Sequence, residues 1–170
     1  MRRLYNGMTS TSERIARIAS WIVALLIISI CYDVFMRYLF NAPTIWSYAS
    51  SYMMGAALSV FGLAYVHSVG GNVRVDIIYN KFSPKVKLIV DLFFTIIFFF
   101  PLYGLLAYYF GINTWHAFVV KRYDINSIWY PVVWPYMTAI TLGFVLLFVQ
   151  GIATFLRDLK TFMKGGKEPW

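Results

Sequence analysis

The chain has 170 residues, of which 60% are hydrophobic, 20% are aromatic and only 13% are charged. Soluble domains average about 45–50% apolar and about 25% charged residues, so this composition excludes an ordinary soluble domain. The formal charge of +8 does not indicate nucleic-acid binding, because the basic residues flank long apolar blocks and do not form one patch.

Four apolar blocks are each long enough to cross a bilayer, whose hydrocarbon core of roughly 30 Å requires about 20 helical residues. They cover approximately residues 18–40, 45–69, 86–119 and 131–155. We therefore expect an all-α integral membrane protein with four transmembrane helices. Residues 1–170 are expected to form a single membrane domain.

The first span is expected to follow a short helical lead-in capped by the polar run Thr9–Glu13. Asp33 and Arg37 are four residues apart and so share one helix face near the outer end of the span. Pro43 disfavours helical structure in the residue before it. The first two spans are therefore predicted to form an antiparallel hairpin with a very short outer turn.

The second span carries small residues at every fourth position. Close backbone approach over small side chains is a main source of helix packing in lipid, so this ridge predicts a contact face. The sequence leaves open whether that contact lies within the chain or with a partner. The ridge consists of Ser47, Ser51, Gly55 and Ser59.

The segment after Gly70 and Gly71 connects the second and third spans. Apolar residues at helical spacing over residues 73–82 predict a short interfacial cytoplasmic helix, with a short strand over residues 73–77 as the alternative. Arg74 and Asp76 lie in this segment and are candidates for ordering the turn.

The third span is too long to cross the bilayer as a straight, upright helix. At 1.5 Å per residue, residues 86–119 extend to about 50 Å. The helix is therefore expected to tilt, to kink at Pro101 or to break near Gly111–Asn113. Pro131 and Pro135 are expected in the first turn of the fourth span.

Aromatic and basic residues predict how the chain sits in the membrane. Tryptophans cluster at the predicted outer interface, at positions 46, 115, 129 and 134. Twelve basic residues fall on the side that carries both termini, and only Arg37, Lys121 and Arg122 fall on the other. By the positive-inside rule, both termini are expected in the cytoplasm. The protein itself is expected in the inner membrane of a bacterial cell.

Motifs for catalysis, metals or cofactors are missing from the sequence. It has no phosphate-binding loop, zinc motif or nucleophile elbow, and its one cysteine, Cys31, lies inside an apolar span. His67 and His116 fall at opposite ends of their spans, so they cannot ligate one haem iron. We expect neither an enzyme nor a bound cofactor or metal.

Two stretches resemble the small membrane subunit (DctQ-like) of tripartite ATP-independent periplasmic (TRAP) transporters. Asp33–Trp46 is similar to that family's end of span one, short outer turn and tryptophan. Gly70–Asp76 is similar to its cytoplasmic glycine-rich turn and the Arg-x-Asp element that follows. Four spans with both ends cytoplasmic agree with the same family.

The resemblance implies a function and partners. In such systems a periplasmic substrate-binding protein delivers an organic acid, and a large membrane subunit transports it with sodium by an elevator-like motion. The small subunit packs beside the large one in the lipid bilayer and enlarges its immobile scaffold. Asp33 and Arg37 are then expected to fix the outer end of span one, and Trp46 to anchor the periplasmic rim.

Two other functions remain open from the residues alone. A small homodimeric proton-coupled exporter is one, with Asp33 as the coupled carboxylate, because an ionisable group inside a span is a functional candidate. The other is a non-catalytic membrane anchor of a redox complex.

Overall fold

The computed structural model describes residues 2–71 and 82–163, with side chains from Ser12 onward except that of Pro84. The predicted interfacial helix over residues 73–82, apart from its last residue, lies outside the described residues. The same holds for its strand alternative over residues 73–77 and for the candidates Arg74 and Asp76.

Helices account for the regular structure of the described ranges, apart from one isolated antiparallel bridge between Tyr123 and Val132. In chain order they are α1 (Arg2–Phe40), α2 (Ser47–Ser68), α3 (Pro84–Phe94), a π-helical turn (Thr95–Phe99), α4 (Phe100–Val119) and α5 (Trp134–Met163). Four segments are long and apolar enough to cross a membrane, as the sequence predicted: Ser12–Phe40, Ser47–Ser68, Lys85–Val119 and Trp134–Met163.

Helix α1 is longer than expected. It runs for 39 residues without a boundary at Thr9–Glu13, so the prediction of a separately capped lead-in is wrong. Serine, threonine and glutamate lower helix propensity only slightly, and no proline interrupts the run. The helix ends at Phe40, where Asn41 takes the left-handed backbone conformation with φ of 50° that asparagine tolerates better than most residues.

The third span runs unbroken from α3 to α4, and its irregularity lies at the π-helical turn. Pro101 lies two residues after the end of this turn. Proline offers no N–H and its ring clashes with the carbonyl four residues before it, here that of Ile97. A widened turn relieves that clash, and π-turns of this kind occur inside otherwise regular helices. The expected irregularity near Pro101 is therefore present, while Gly111–Asn113 stays helical.

The fourth span begins and ends later than the apolar block. Helix α5 starts at Trp134, so Pro135 lies in its first turn but Pro131 does not. Pro131 lies in the preceding loop, where its carbonyl accepts a hydrogen bond from the Asp124 N–H at 2.9 Å. The helix continues to Met163 because its last two turns carry charged residues without a glycine or proline to end them.

Helix α5 is the centre of the packing. It contacts α1, α2 and the whole third span, and α1 packs along α2. The third span packs mainly along α5, with a ring contact between Phe99 and His67 of α2. In the most apolar 18-residue stretch of each span, 33% of the residues are buried in the fourth span but only 6% in the third. The third span is therefore the least enclosed of the four: α1, α2 and α5 contact one another, and the third span packs mainly on α5.

We name the two ends of the helices by the segments that lie there. The turn end carries residues 41–46 and 120–133, which lie together because the Tyr52 hydroxyl donates a hydrogen bond to Asp124. The terminal end carries the first turns of α1, the last turns of α5, and Gly70 and Gly71 after α2.

Candidate functional site

The outer turn is held by one carboxylate. Asp33 Oδ2 accepts a hydrogen bond from the Arg37 guanidinium at 2.6 Å, the predicted pair one helical turn apart. Asp33 Oδ1 accepts the Thr44 N–H at 2.9 Å and also the Thr44 hydroxyl. Asp33 is 8% exposed, whereas the Arg37 side chain is 57% exposed. The carboxylate therefore ties the end of α1 to the start of the second span and is not directed to an open pathway.

Two further contacts align the same hairpin. The Trp46 ring stacks on Tyr32 of α1 with centroids 6.0 Å apart. One turn deeper, the Ser47 hydroxyl lies 3.5 Å from the Ser29 hydroxyl and donates to the Ser29 carbonyl at 3.3 Å. Trp46 thus lies at the turn end, as predicted, and its ring contacts its own chain.

Removal of the Asp33 carboxylate is expected to lower the thermal unfolding midpoint of the purified protein. Asp33→Ala abolishes all three hydrogen bonds, while Asp33→Asn retains an acceptor for Thr44 and loses the charge and the hydrogen bond from Arg37. The expected order of midpoints is wild type, then Asp33→Asn, then Asp33→Ala. Thr44→Val is the matched control, because it keeps the backbone N–H and should cost less than Asp33→Ala. Equal midpoints for Asp33→Ala and wild type contradict this role.

The ridge of small residues on α2 does not share one environment. Ser47 is buried against α1, whereas Ser59 is exposed and donates to the Gly55 carbonyl of its own helix at 2.8 Å. A Cβ built on Gly55 meets no atom within 4 Å. Ser51 lies between these two environments, with its hydroxyl oxygen buried and without a hydrogen-bond partner among the described residues. An intrachain contact is thus seen at Ser47, and a partner contact at Gly55 and Ser59 stays a prediction.

A second tie at the turn end was not predicted. Asp124 accepts hydrogen bonds from the Tyr52 hydroxyl and from the Asn126 N–H, the latter at 3.0 Å. These two donors, Tyr52 first, hold the pKa of Asp124 below its ordinary value. The Tyr136 ring packs edge-on against Tyr52 with centroids 6.4 Å apart. Tyr52 and Asp124 are 72 positions apart in sequence, and no local pattern signals their pairing.

Tyr52→Phe is expected to lower the free energy of unfolding by about 1 kcal/mol at neutral pH, because Asp124 loses a charge-assisted but partly exposed hydrogen bond. A carboxyl with a lowered pKa in the folded state contributes stability above the pKa of the unfolded state. That stability is lost as the pH falls through the folded-state value. The variant should therefore lose less stability on acidification than the wild type in pH-dependent thermal unfolding.

Tyr48→Phe is the matched control for this prediction. Tyr48 lies one turn before Tyr52, with ring centroids 6.0 Å apart, and is 82% exposed. Its loss should leave the pH dependence as in the wild type. The role of the Tyr52–Asp124 bond is contradicted if both variants follow the wild-type acid profile.

Helix α5 also carries a polar side chain that sequence reasoning missed. Gln150 is only 1% exposed, and the Ser12 hydroxyl of α1 donates to its Oε1 at 3.5 Å. One amide in a long apolar run hardly changes its mean hydropathy, so the residue gave no signal. Its position between α1 and α5 marks it as part of the internal packing of these helices.

The described residues offer no set of three His, Cys, Asp or Glu side chains that could hold a metal ion. Cys31 is a free thiol on the exposed side of α1. Most of the exposed side chains between the two ends are apolar, and they are most numerous on the third span. The arrangement is suited to contacts with lipid and with other membrane helices.

Comparison with known families gives one match. The model of the family described as "Tripartite ATP-independent periplasmic transporters, DctQ component" matches residues 26–161. The match includes the turn held by Asp33 and most of α5. No curated protein matches the chain.

Proposed function

Since this chain belongs to the DctQ component family of tripartite ATP-independent periplasmic transporters, we propose that it is the static scaffold subunit of a sodium-coupled transporter for organic acids. In the proposed complex a large membrane subunit carries the substrate across the membrane, and a periplasmic binding protein delivers it. The small subunit transports nothing itself. It supplies fixed helices against which the moving part of the large subunit slides.

The exposure of the third span is the observation that carries this proposal. The third span is apolar on nearly all sides, yet the rest of the chain covers only a small part of it. One stripe on this span consists of large side chains spaced four and three residues apart, each at least half exposed. We call it the third-span stripe: Phe98, Leu102, Leu105, Tyr109 and Ile112.

A stripe with this spacing lies along one helix face and suits packing against a further helix. Helix association in lipid depends on van der Waals packing, because lipid chains are as apolar as the side chains themselves. A long face that the chain leaves uncovered therefore supports a large membrane partner at this position. The buried helix α5 behind it would keep the face rigid while the partner moves.

Orientation follows from charge in the same proposal. The turn end carries few basic residues and the terminal end carries most of them. By the positive-inside rule the turn end faces the periplasm, and both termini lie in the cytoplasm of the inner-membrane complex. The turn end is then the side from which the binding protein approaches.

Site-directed cross-linking in the native membrane tests the partner. In a Cys31→Ser background, Leu105→Cys places a thiol on the third-span stripe, and Ile28→Cys places an equally exposed thiol on α1. A bifunctional thiol reagent should join position 105 to a much larger polytopic membrane protein, and affinity purification should recover the same protein. Recovery of the chain only by itself, or with copies of itself, contradicts the proposal.

The exporter alternative needs a carboxylate that exchanges protons with a pathway. Asp33 is instead enclosed by Thr44 and Arg37 at the end of the first span. This geometry favours a structural carboxylate. The residues the structure describes offer no specific support for the redox-anchor alternative.

A further inference from the structure

An open groove of about 370 Å³ lies between α4 and α5 near the turn end. Its volume is within the range of ligand-binding clefts, about 300–1,000 Å³. Three large aromatic residues line it, together with one glycine, three threonines and one leucine. The lining consists of Gly111, Thr114, Trp115, Phe118, Trp134, Thr138, Thr141 and Leu142.

The groove is apolar although three threonines line it. The Thr138 and Thr141 hydroxyls donate to the carbonyls of Trp134 and Met137 at 2.8 and 2.9 Å. The Thr114 and Thr141 hydroxyls lie 2.8 Å apart and bond to each other. With their hydroxyls engaged within the protein, these residues offer methyl groups to an occupant. An apolar chain is therefore a better fit than a polar solute.

The groove has the length of part of one lipid leaflet. From Gly111 to Phe118 the axis of α4 advances about 10 Å, and from Trp134 to Leu142 that of α5 advances about 12 Å. Half of a typical hydrocarbon core is about 15 Å. Tryptophan side chains favour the level of the lipid headgroups, so Trp115 and Trp134 place the upper end of the groove at that level.

Two cations follow the end of α4, within three residues of its last helical residue, at the same end of the molecule as the groove. Helix α4 ends at Val119, and the chain then turns through Lys121, whose φ is 50°. The Arg122 N–H donates to the Ala117 carbonyl at 3.0 Å, which holds this turn onto the last turn of α4. Both side chains are exposed, and neither has a carboxylate within ion-pair distance among the described residues. Asp124 is the nearest acidic residue in sequence and attracts Arg122 at longer range. Its oxygens accept hydrogen bonds from Tyr52 and Asn126.

We propose that this groove binds one acyl chain of an anionic phospholipid whose phosphate is held by Lys121 and Arg122. Positive charge at headgroup level matches the phosphate, and the methyl-lined groove matches the chain. A partner helix fits less well, because close helix packing in lipid depends on small side chains, whereas Trp115 and Phe118 are bulky and are 69% and 53% exposed. A flexible chain can pass between them. The proposal does not depend on the transporter role.

Photolabelling with two matched lipids tests this site. The full-length chain, purified from its native membrane with any subunit that accompanies it, is placed in phosphatidylcholine vesicles. The vesicles contain a trace of phosphatidylglycerol or of phosphatidylcholine, each with the same diazirine-bearing acyl chain. Peptide mass spectrometry then locates the label. We expect phosphatidylglycerol to label the groove, at Trp115 and Leu142, well above the matched phosphatidylcholine.

Two variants separate the charge from the groove. Lys121→Gln combined with Arg122→Gln should lower labelling by phosphatidylglycerol to the level of the matched phosphatidylcholine, since the two positive charges that hold its phosphate are removed. Gly111→Phe should fill the groove and lower labelling by both lipids. Lys160→Gln at the terminal end is the control for net charge. Gly62→Phe is the control for a bulky residue at an open helical glycine, because a Cβ there meets no atom within 4 Å.

The two cation substitutions lie outside the helices, so they test the site even where Gly111→Phe fails to fold. Loss of groove labelling in both test variants and in neither control supports the proposal. Equal labelling by the two lipids, or labelling of α1 as strong as that of the groove, overturns it. The proposal is also overturned if the groove cross-links to a helix of an accompanying subunit and is not labelled by lipid.

Discussion

Replacement of Gly143 by alanine is expected to lower the free energy of unfolding by about 2 kcal/mol, although alanine is the better helix former by about 1 kcal/mol. A Cβ at this position lies 2.6 Å from Val60 Cγ1, 3.1 Å from Val60 Cβ and 3.4 Å from its backbone carbon. The Cβ of Val60 cannot rotate away, so α2 and α5 must separate. Overpacking of this kind costs about 1–3 kcal/mol, and a contact with backbone-bound atoms falls at the upper end.

Denaturant titration of the purified protein in mild detergent measures this effect. Gly62→Ala is the control, since the same change at an open helical site should leave stability unchanged or raise it slightly. Val60→Ala in the Gly143→Ala background removes the Cγ atoms and should recover part of the loss. Strict additivity of the two substitutions contradicts a direct contact between these residues.

Gly151→Ala is expected to cost a similar amount, about 2 kcal/mol, at the contact between α5 and the π-helical turn. A Cβ there overlaps Phe99 Cε1 and lies 2.6 Å from Cζ. A ring can often move aside, but Phe99 stacks on His67 at 4.8 Å and packs on Tyr103 at 4.6 Å between ring centroids. The ring has little room, and its displacement would also disturb the contact between α2 and the third span.

Phe99→Leu provides the matched test for Gly151. Combined with Gly151→Ala, it removes the ring carbons that the new methyl group meets, so the double variant should be more stable than the sum of the two single losses. The same denaturant titration gives the result. A wild-type midpoint for Gly151→Ala alone would show that the third span is not seated on α5 at this point.

The four spans could be predicted because hydropathy depends on composition over some twenty residues. The continuity of α1 could not, because a polar run without proline is equally compatible with a cap and with a helix interior. The late end of α5 was missed for a related reason. Its last turns near Arg157 and Lys160 are charged, so the apolar block ends before the helix does.

At the candidate site, too, some contacts could be predicted from the sequence and others could not. The pair Asp33 and Arg37 could be predicted from helical spacing alone. Thr44 could not, since its contact with Asp33 requires the geometry of the turn. The ridge on α2 was only partly informative, because each four-residue step rotates about 40° around the helix. From Ser47 to Ser59 the rotation reaches about 120°, which explains why one serine faces α1 and the other is exposed.

A single sequence likewise does not show which helix faces pack together. Gly143 and Gly151 are eight residues apart on α5 but meet different neighbours, Val60 of α2 and Phe99 of the π-helical turn. Nothing in the local pattern distinguishes them from Gly55 or Gly62, where the space is open. Only the assembled helices show which glycines are contact points.

Uptake into sealed vesicles tests most directly whether this chain is a supporting subunit. A panel of radiolabelled organic acids is added outside under an inward sodium gradient. Vesicles with this chain alone should take up none of them. Vesicles that also contain the proposed large subunit, with the proposed binding protein outside, should accumulate one of these acids. Sodium-driven uptake by this chain alone would contradict the account.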